Sequence, residues 1–285
     1  MILVTGGTGQ VARALADAAG DRALRVVGRP AFDFENPETL RAALDEAAAT
    51  VVINAAAYTN VDKAESEPEA AYRANRDGPA ILAAWCAANG ARLIHISTDY
   101  VFDGLKGAPY TEADPTSPTG VYGASKLAGE EAVLASGTQA LILRTSWVYA
   151  PTGRNFVVTM LNAAKKTDRL RVVADQRGCP TAAADLAAAI LSLAESWDGS
   201  DGGIFHAAGS GATTWHGLAE AVFARAERHG LRRPTVEKIA TADWPTLARR
   251  PPDSRLDCSR LARRFGVALP EWEASVARTV DAALA

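Results

Sequence analysis

The stretch MILVTGGTGQVARAL, residues 1–15, decides the fold. A short β-branched apolar run leads into glycines and then into an apolar-periodic segment that is typical of a helix. This strand–turn–helix order is the context that a dinucleotide fingerprint requires. Gly6 permits the tight turn, and Gly9 lets the backbone approach a pyrophosphate that sits on the amides of the helix N-terminus. Ala12 takes the third small position, which close helix–strand packing still permits.

Strand and helix patterns alternate along the rest of the chain. We predict strands at Ile2–Thr5, Leu24–Val27, Val51–Asn54, Arg92–Ile96, Ala140–Arg144, Arg171–Val173 and Ile204–His206. Helices are predicted at roughly 9–19, 37–48, 68–89, 120–135, 155–166, 182–196 and 214–229. This alternation predicts an α/β fold with a Rossmann-type doubly wound parallel sheet, whose ligand lies at the carboxyl ends of the strands.

The loops lengthen and prolines gather after about residue 145. We therefore predict an NAD(P)-binding Rossmann domain over residues 1–150. Residues 151–285 are predicted to form mainly a smaller, interwoven C-terminal substrate-binding lobe. The strands near 170–173 and 203–207 are expected to return to the first domain.

Composition excludes several classes of protein. The 285 residues carry a net charge of −3, which gives no basic footprint for nucleic acid. No apolar run reaches about 18 residues, so we expect no membrane span. The three cysteines are widely spaced, the first strand leaves no room for a signal peptide, and the cytoplasm is therefore the expected compartment. The four histidines show no ligand spacing, and we predict no metal site.

Tyr122 and Lys126 stand four residues apart, so on a helix they share one face. A positive charge about 4 Å from a phenol, at an effective dielectric of about 20, favours the phenolate by roughly 4 kcal/mol. We therefore expect Lys126 to lower the pKa of Tyr122 from ~10 by up to ~3 units, towards the range of a general acid. Such pairs also meet by chance on surface helices, and the glycine fingerprint is what favours the catalytic interpretation.

The end of the second predicted strand indicates the cofactor. An acidic residue there would bind a ribose 2′-hydroxyl, whereas an arginine can meet a 2′-phosphate. This chain has Arg29 and no acidic residue until Asp33. We therefore predict NADPH as the preferred cofactor, with NADH as the second choice.

Four further blocks follow the fingerprint in order, and together they resemble a known family. They are NAAAYTNVDKAE at 54–65, STDYVFDG at 97–104, the Tyr122/Lys126 pair and RTSWVY at 144–149. The chain resembles the extended short-chain dehydrogenases and, within them, the dTDP-4-dehydrorhamnose reductases. The resemblance covers nearly the whole chain, and the second and fourth of these blocks are much narrower than the superfamily motifs.

The resemblance implies reduction of the 4-keto group of dTDP-4-dehydro-6-deoxy-L-mannose by a nicotinamide hydride. Tyr122 would donate the proton, Lys126 would lower its pKa and hold the cofactor ribose, and Thr98 would orient the substrate carbonyl. Asp99 and Trp147 correspond to substrate-contacting positions, together with Thr98. The implied cofactor-binding residues are Gly6, Gly9, Gln10, Val11, Arg29, Asp33, Phe34, Ala57, Tyr58, Thr59, Tyr122 and Lys126.

Some members of the family pair through a magnesium site built from glutamates, but residues 13–14 of this chain are Arg-Ala. A metal-bridged dimer is therefore not predicted, and the expected state is a monomer or a homodimer.

Two other functional interpretations remain open. One is a related ketoreductase, epimerase or dehydratase acting on another nucleotide sugar. Dehydratases often need an Asp-Glu pair beside the sugar, whereas here Thr98 is followed by Asp-Tyr. The other is a non-catalytic subunit that resembles the regulatory subunit of methionine adenosyltransferase, and the intact Tyr122, Lys126 and Thr98 argue against it.

Overall fold

The computed structural model describes residues 1–285, which form twelve strands and eleven helices. The strands are β1 Ile2–Thr5, β2 Leu24–Val27, β3 Val51–Asn54, β4 Arg92–Thr98, β5 Ala140–Thr145, β6 Val148–Tyr149, β7 Arg169–Val173, β8 Arg177–Gly178, β9 Thr181–Ala182, β10 Gly203–His206, β11 Thr213–Thr214 and β12 Thr235–Ile239. The helices are α1 Gln10–Asp17, α2 Pro37–Ala47, α3 Val61–Ala64, α4 Pro68–Tyr72, α5 Gly78–Asn89, α6 Val121–Ala135, α7 Phe156–Ala164, α8 Ala183–Ser196, α9 Trp215–Glu227, α10 Ser259–Phe265 and α11 Trp272–Leu284.

Six strands form one parallel sheet in the order β10-β5-β4-β3-β1-β2. The order reverses between β1 and β3, since the chain runs outward from β1 to β2 and then returns to β3 on the other side of β1. The predicted doubly wound α/β fold is therefore confirmed. Such a reversal opens a crevice at the carboxyl ends of the strands, where open α/β sheets bind their ligands.

Both faces of the sheet are covered because its strands are apolar on alternate sides. Val4 and Ile53 face a core that includes residues of α1 and α8, whereas Leu3 and Val52 face a second core that includes residues of α2 and α5. All four side chains are fully buried. Side chains on successive positions thus serve different layers, and this arrangement fixes the register of the sheet.

A second lobe forms around α7, α9 and α11, whose apolar faces share a third core with Tyr149 and Val172. Here β7 pairs with β12 in a separate two-stranded parallel sheet. The expectation that the strand near 170–173 returns to the Rossmann sheet is therefore wrong. The strand near 203–207 does return, because β10 pairs with β5 at the edge of that sheet. None of the helices combines the length and apolarity that a membrane span requires.

Candidate active site

The glycine turn, residues 6–10, joins β1 to α1 and has the shape of an anion cradle. Gly6 has a φ of +111°, and a Cβ there would lie 2.9 Å from the Ala55 carbonyl oxygen. A Cβ on Gly28, at the end of β2, would lie 2.5 Å from the Gly7 Cα. Only glycine allows these two backbone segments to approach so closely.

No side chain caps the N-terminus of α1, and its first turn contains no acidic residue. The first amides of a helix have no partner within the helix, and they favour a bound anion. The Oε1 atom of Gln10, the first residue of α1, is buried without a hydrogen-bond partner. The turn therefore fits a dinucleotide pyrophosphate, with Gly9, Gln10 and Val11 around it.

The residues predicted near the adenosine lie at the end of β2 and in the loop after it. Arg29 is exposed and forms no ion pair or side-chain hydrogen bond, so its guanidinium is available to a 2′-phosphate. The ring of Phe34 packs against the N-terminus of α5, where a Cβ on Gly78 would lie 2.1 Å from it. The Asp33 carboxylate accepts a hydrogen bond from the Glu35 amide at 3.1 Å, which stabilises this loop.

Asn75 connects the segment after β3 to α6, a role that the sequence interpretation did not assign. It lies in a π-helical turn, Arg73–Asp77, and is fully buried. Its Oδ1 accepts from the Tyr58 amide at 2.8 Å, and its Nδ2 donates to the Tyr58 carbonyl at 3.0 Å and to Ser125 Oγ at 2.9 Å. The predicted cofactor segment Ala57–Thr59 is thereby held against α6.

Thr98 and Tyr122 come together at the carboxyl end of β4. The Thr98 hydroxyl accepts a hydrogen bond from the Tyr100 amide at 3.2 Å and donates to Asp99 Oδ1 at 3.1 Å. Tyr122 lies in the first turn of α6, and its ring packs edge-on against Tyr100 with centroids 5.5 Å apart. Burial raises the pKa of Tyr122 to about 12, the Thr98 hydroxyl opposes this rise, and the charge on Asp99 adds to it.

Lys126 is 2% exposed, and its ammonium donates to the Ile96 carbonyl at 2.6 Å. Burial lowers the pKa of Lys126 to about 8, partly opposed by Glu130. The expected lowering of the Tyr122 pKa by Lys126 does not occur in this structure, because desolvation of the phenol outweighs the other influences on it. The two groups still share one face of α6, as their spacing predicts.

Asp99 is buried among hydroxyl groups and is 2% exposed. Its Oδ2 accepts from Ser254 Oγ at 2.5 Å, and its Oδ1 accepts from Thr98. Burial raises the pKa of Asp99 to about 6, and the hydrogen bonds from Ser254, Thr98 and Ser146 oppose the rise. The carboxylate thus joins three chain segments.

Trp147 forms an aromatic wall together with Trp215. The two indoles are stacked with ring centroids 3.5 Å apart, and Trp147 has a φ of +47°. A Cβ on Gly178 would lie 2.4 Å from the Trp147 ring. The Trp215 Nε1 donates to Gln176 Oε1 at 3.0 Å, which fixes the second indole. Trp147 was predicted from the sequence, but its stacking partner Trp215 was not assigned to the site.

A polar layer lies between the sheet and α6. It consists of Thr5, Asn54, His95, Ser97 and Arg144 from the sheet, all 3% exposed or less. Glu130 of α6 accepts hydrogen bonds from Ser97 at 2.5 Å and from the Arg144 guanidinium at 2.6 Å. Sequence reasoning did not assign this layer. A signal was available, because on this face the strands begin apolar and end polar at a period of two, for example Leu3 then Thr5, and Val52 then Asn54.

This site belongs to the class of Rossmann-fold oxidoreductases that carry a tyrosine and a lysine on one helix beside the nucleotide. Comparison with known proteins narrows the class. The family model described as "RmlD substrate binding domain" matches residues 1–285. A dTDP-4-dehydrorhamnose reductase of Sinorhizobium fredii is 47% identical over 288 residues, covering 99% of this chain and 97% of that protein. The chain belongs to the dTDP-4-dehydrorhamnose reductase family.

Two solved structures carry the same fold over nearly the whole chain. A dTDP-4-dehydrorhamnose reductase from Clostridium acetobutylicum superposes with a TM-score of 0.90 at 36% identity, covering 98% of each chain. The Bacillus anthracis enzyme, described in complex with NADP, superposes with a TM-score of 0.92 at 32% identity. That comparison covers 98% of this chain and 97% of the other.

Proposed function

We propose that this protein reduces dTDP-4-dehydro-6-deoxy-L-mannose to dTDP-L-rhamnose, using NADPH. The observation that carries the proposal is the meeting of Thr98 and Tyr122 at the carboxyl end of β4. This meeting point lies at the same edge of the sheet as the glycine turn. The reductases to which the chain is similar at 40–47% identity carry this activity in their names.

The residues divide the reaction between binding and proton transfer. NADPH supplies the hydride. The Thr98 hydroxyl, which donates to Asp99 Oδ1 in the free protein, turns its single proton to the ketone oxygen when the substrate binds and so orients it. Tyr122 gives the proton that the resulting alkoxide requires. The Lys126 ammonium supports the loss of that proton through its positive charge.

The remaining site residues position the substrate and the cofactor. Asp99 accepts the Thr98 hydroxyl proton until the ketone oxygen takes its place, and the stacked pair Trp147 and Trp215 gives the sugar or the base a flat apolar wall. The glycine turn holds the pyrophosphate, with Ala57, Tyr58 and Thr59 along the dinucleotide.

Arg29 supports the preference for NADPH over NADH, because its guanidinium is exposed and unpaired beside the glycine turn. Arg29→Ala should reduce the ratio of kcat/KM for NADPH to that for NADH by about tenfold, the scale of one charge-assisted hydrogen bond. Arg25→Ala, on β2 just before the loop that holds Arg29 but paired with Glu46, is the matched control and should leave the ratio unchanged. An unchanged ratio in Arg29→Ala would remove Arg29 from cofactor selection.

The oligomeric state that we propose is a monomer or a homodimer, and the compartment is the cytoplasm. All three cysteines are unpaired, which fits a reducing environment.

The decisive test is NADPH oxidation with dTDP-4-dehydro-6-deoxy-L-mannose generated in situ. Wild-type protein should turn over, and Tyr122→Phe should lose about 10²–10⁴-fold in kcat while its Kd for NADPH stays unchanged. Tyr72→Phe is the matched control, since the Tyr72 hydroxyl makes no hydrogen bond. An epimerase returns its hydride and would consume no NADPH. Tight NADPH binding without turnover of this substrate would contradict the proposed function.

A further inference from the structure

A chain of buried side chains runs across the polar layer from β1 to Lys126, and it fixes the orientation of the Asn54 amide. The Asn54 Oδ1 accepts from Thr5 Oγ1 at 2.6 Å and lies 3.3 Å from the Ala56 amide nitrogen. A backbone N–H can only donate, so the side-chain atom that faces it is the carbonyl oxygen. The Asn54 Nδ2 is therefore the atom that faces His95, 2.9 Å from its Nδ1.

This orientation fixes the tautomer of His95. An amide NH₂ only donates, so His95 Nδ1 must accept and carries no proton. His95 is fully buried, and burial together with the charge on Lys126 keeps its pKa well below the ordinary value, so the ring is neutral. The single ring proton therefore resides on Nε2.

His95 Nε2 lies 3.5 Å from Lys126 Nζ. An ammonium group has three donors and no acceptor, so it gains no hydrogen bond from an N–H that points at it. The uncharged amine has a lone pair and can accept that hydrogen bond. The Ile96 carbonyl, 2.6 Å from Nζ, acts in the opposite sense because it stabilises the charged donor.

We propose that His95 is a positioning residue for Lys126, and that its Nε2–H stabilises the uncharged amine while the Ile96 carbonyl stabilises the ammonium. Asn54 on the neighbouring strand β3 and Thr5 on β1, two strands away, maintain this arrangement. Lys126 can then exchange a proton near neutral pH, where a permanently charged lysine could not. The consequence for catalysis rests on the proposed function, whereas the hydrogen-bond arrangement does not.

The other charged and titratable groups around Lys126 are accounted for. On α6, Glu130 favours the ammonium, but its carboxylate is already paired with Arg144 of β5. Tyr122, one turn earlier on the same helix, is a neutral phenol because burial raises its pKa. On β4, His95 and the Ile96 carbonyl are the groups within reach of Nζ. His95 is thus the only side chain that offers a donor to the amine.

The first measurement is the tautomer of His95 in the free protein, from long-range ¹⁵N–¹H correlation spectra of its imidazole. The expected result is a protonated Nε2 and an unprotonated Nδ1. A protonated Nδ1 would overturn the proposal without any substitution being made. Because no substrate or cofactor is added, this result is independent of the proposed function.

The second measurement is the titration of Lys126 in protein labelled with ¹³C-lysine. The chain has six lysines, and the other five are exposed, so Lys126 should titrate apart from the rest. In His95→Met, which removes the donor, the ratio of amine to ammonium should fall about tenfold at a given pH, a rise of about one pKa unit. His95→Gln offers an amide N–H at a similar reach and should restore most of the change. An unchanged titration in a destabilised His95→Met protein would make His95 a packing residue only.

Asn54→Asp provides the test if His95→Met does not fold. A carboxylate only accepts, so it draws the His95 proton to Nδ1 and turns Nε2 towards Lys126 as an acceptor. The Thr5 and Ala56 hydrogen bonds are retained because aspartate keeps an acceptor at the same place. Lys126 should then titrate higher than in the wild type by at least the change expected for His95→Met. An unaltered Lys126 titration would overturn the proposal.

Discussion

The glycine turn and the wall formed by Trp147 and Trp215 are built from different kinds of contact. In the turn, backbone meets backbone on adjacent strands, as where Gly7 approaches Gly28. In the wall, side chains meet across the sequence, and Trp147 stacks on Trp215 with ring centroids 3.5 Å apart. The first region therefore depends on the absence of side chains and the second on their presence. We therefore expect substitutions in the glycine turn to change the Kd for the cofactor, and substitutions in the wall to change the KM for the substrate.

The largest effect should come from adding a methyl group to the turn. In Gly28→Ala the new Cβ would lie 2.5 Å from the Gly7 Cα, so the turn must move away from its anion-binding shape. Overpacking of this kind costs about 1–3 kcal/mol, which corresponds to a Kd for NADPH that is about 10–100-fold weaker. Fluorescence titration of NADPH measures the change.

The control for this substitution is Gly137→Ala, which also adds a methyl group but meets nothing within 4 Å. Because Gly137 has a positive φ, the alanine variant should be less stable than the wild type, but its Kd for NADPH should be unchanged. Equal losses of NADPH affinity in both variants would contradict the division between the two regions.

Lys126 belongs to neither region, and its removal should separate stability from activity. Its pKa of about 8 lies below the ordinary 10.5, so below pH 8 the folded protein carries a buried charge that the unfolded chain solvates fully. Lys126→Met should therefore raise the free energy of unfolding by about 2 kcal/mol at pH 7 while activity collapses. Urea unfolding at several pH values measures the difference.

This advantage of the methionine variant should shrink as the pH rises from 8 to 10.5. In that window the unfolded wild-type chain still binds the proton and the folded protein has lost it, so wild-type stability increases with pH. If the wild type and Lys126→Met differ by a constant free energy of unfolding over this pH range, the buried-charge explanation is contradicted.

On the substrate side, Trp215→Leu removes the partner on which Trp147 stacks. The substrate KM should rise about tenfold, since the stacked pair and its buried area contribute roughly 1–2 kcal/mol. The Kd for NADPH should not change. Trp85→Leu is the matched control on the Rossmann side, where it breaks a hydrogen bond to Asp45 and should alter stability with no effect on KM.

The smallest effect should come from the residues 241–256, which we call the strap. Arg250 of the strap forms two hydrogen bonds with Asp62 of α3 across a separation of 188 residues. Arg250→Lys keeps the positive charge but loses the bidentate hydrogen bonding to Asp62, and we expect the substrate KM to rise about threefold. Asp62→Asn should give a similar change, and the double variant should give no more than either one. Fully additive effects would show that the pair does not act as a unit.

The same contrast explains which parts of the molecule the sequence predicts. The alternation of apolar runs predicts the sheet because each strand carries its own local pattern. The pairing of β7 with β12 is not predicted, since short exposed strands of similar pattern can join either sheet, and only the packing of α9 against both favours this one. The helices α10 and α11 follow several prolines and are not among the helices that the sequence predicts.

Within the site, the residues found from sequence are those whose chemistry is unusual for their place, such as Gly6, Thr98 and Tyr122. His95 and Asn54 were not assigned, because each resembles an ordinary strand residue until its partner on the next strand is known. The polarity of Glu130 likewise acquires a meaning only through Arg144. Burial also reversed one expectation, since the pKa of Tyr122 depends on desolvation that no spacing reveals.

The separation between Asp99 and Ser254 also sets the order in which the molecule becomes functional as it is synthesised. Translation of the 155 residues between them takes roughly 10–30 s at about 5–20 residues per second. The glycine turn and the residues proposed to line the dinucleotide emerge from the ribosome well before the strap. A nascent chain therefore holds the glycine turn before the hydroxyl that restrains the Asp99 carboxylate has been made, and the hydrogen bonds around Asp99 are completed only once Ser254 has been added.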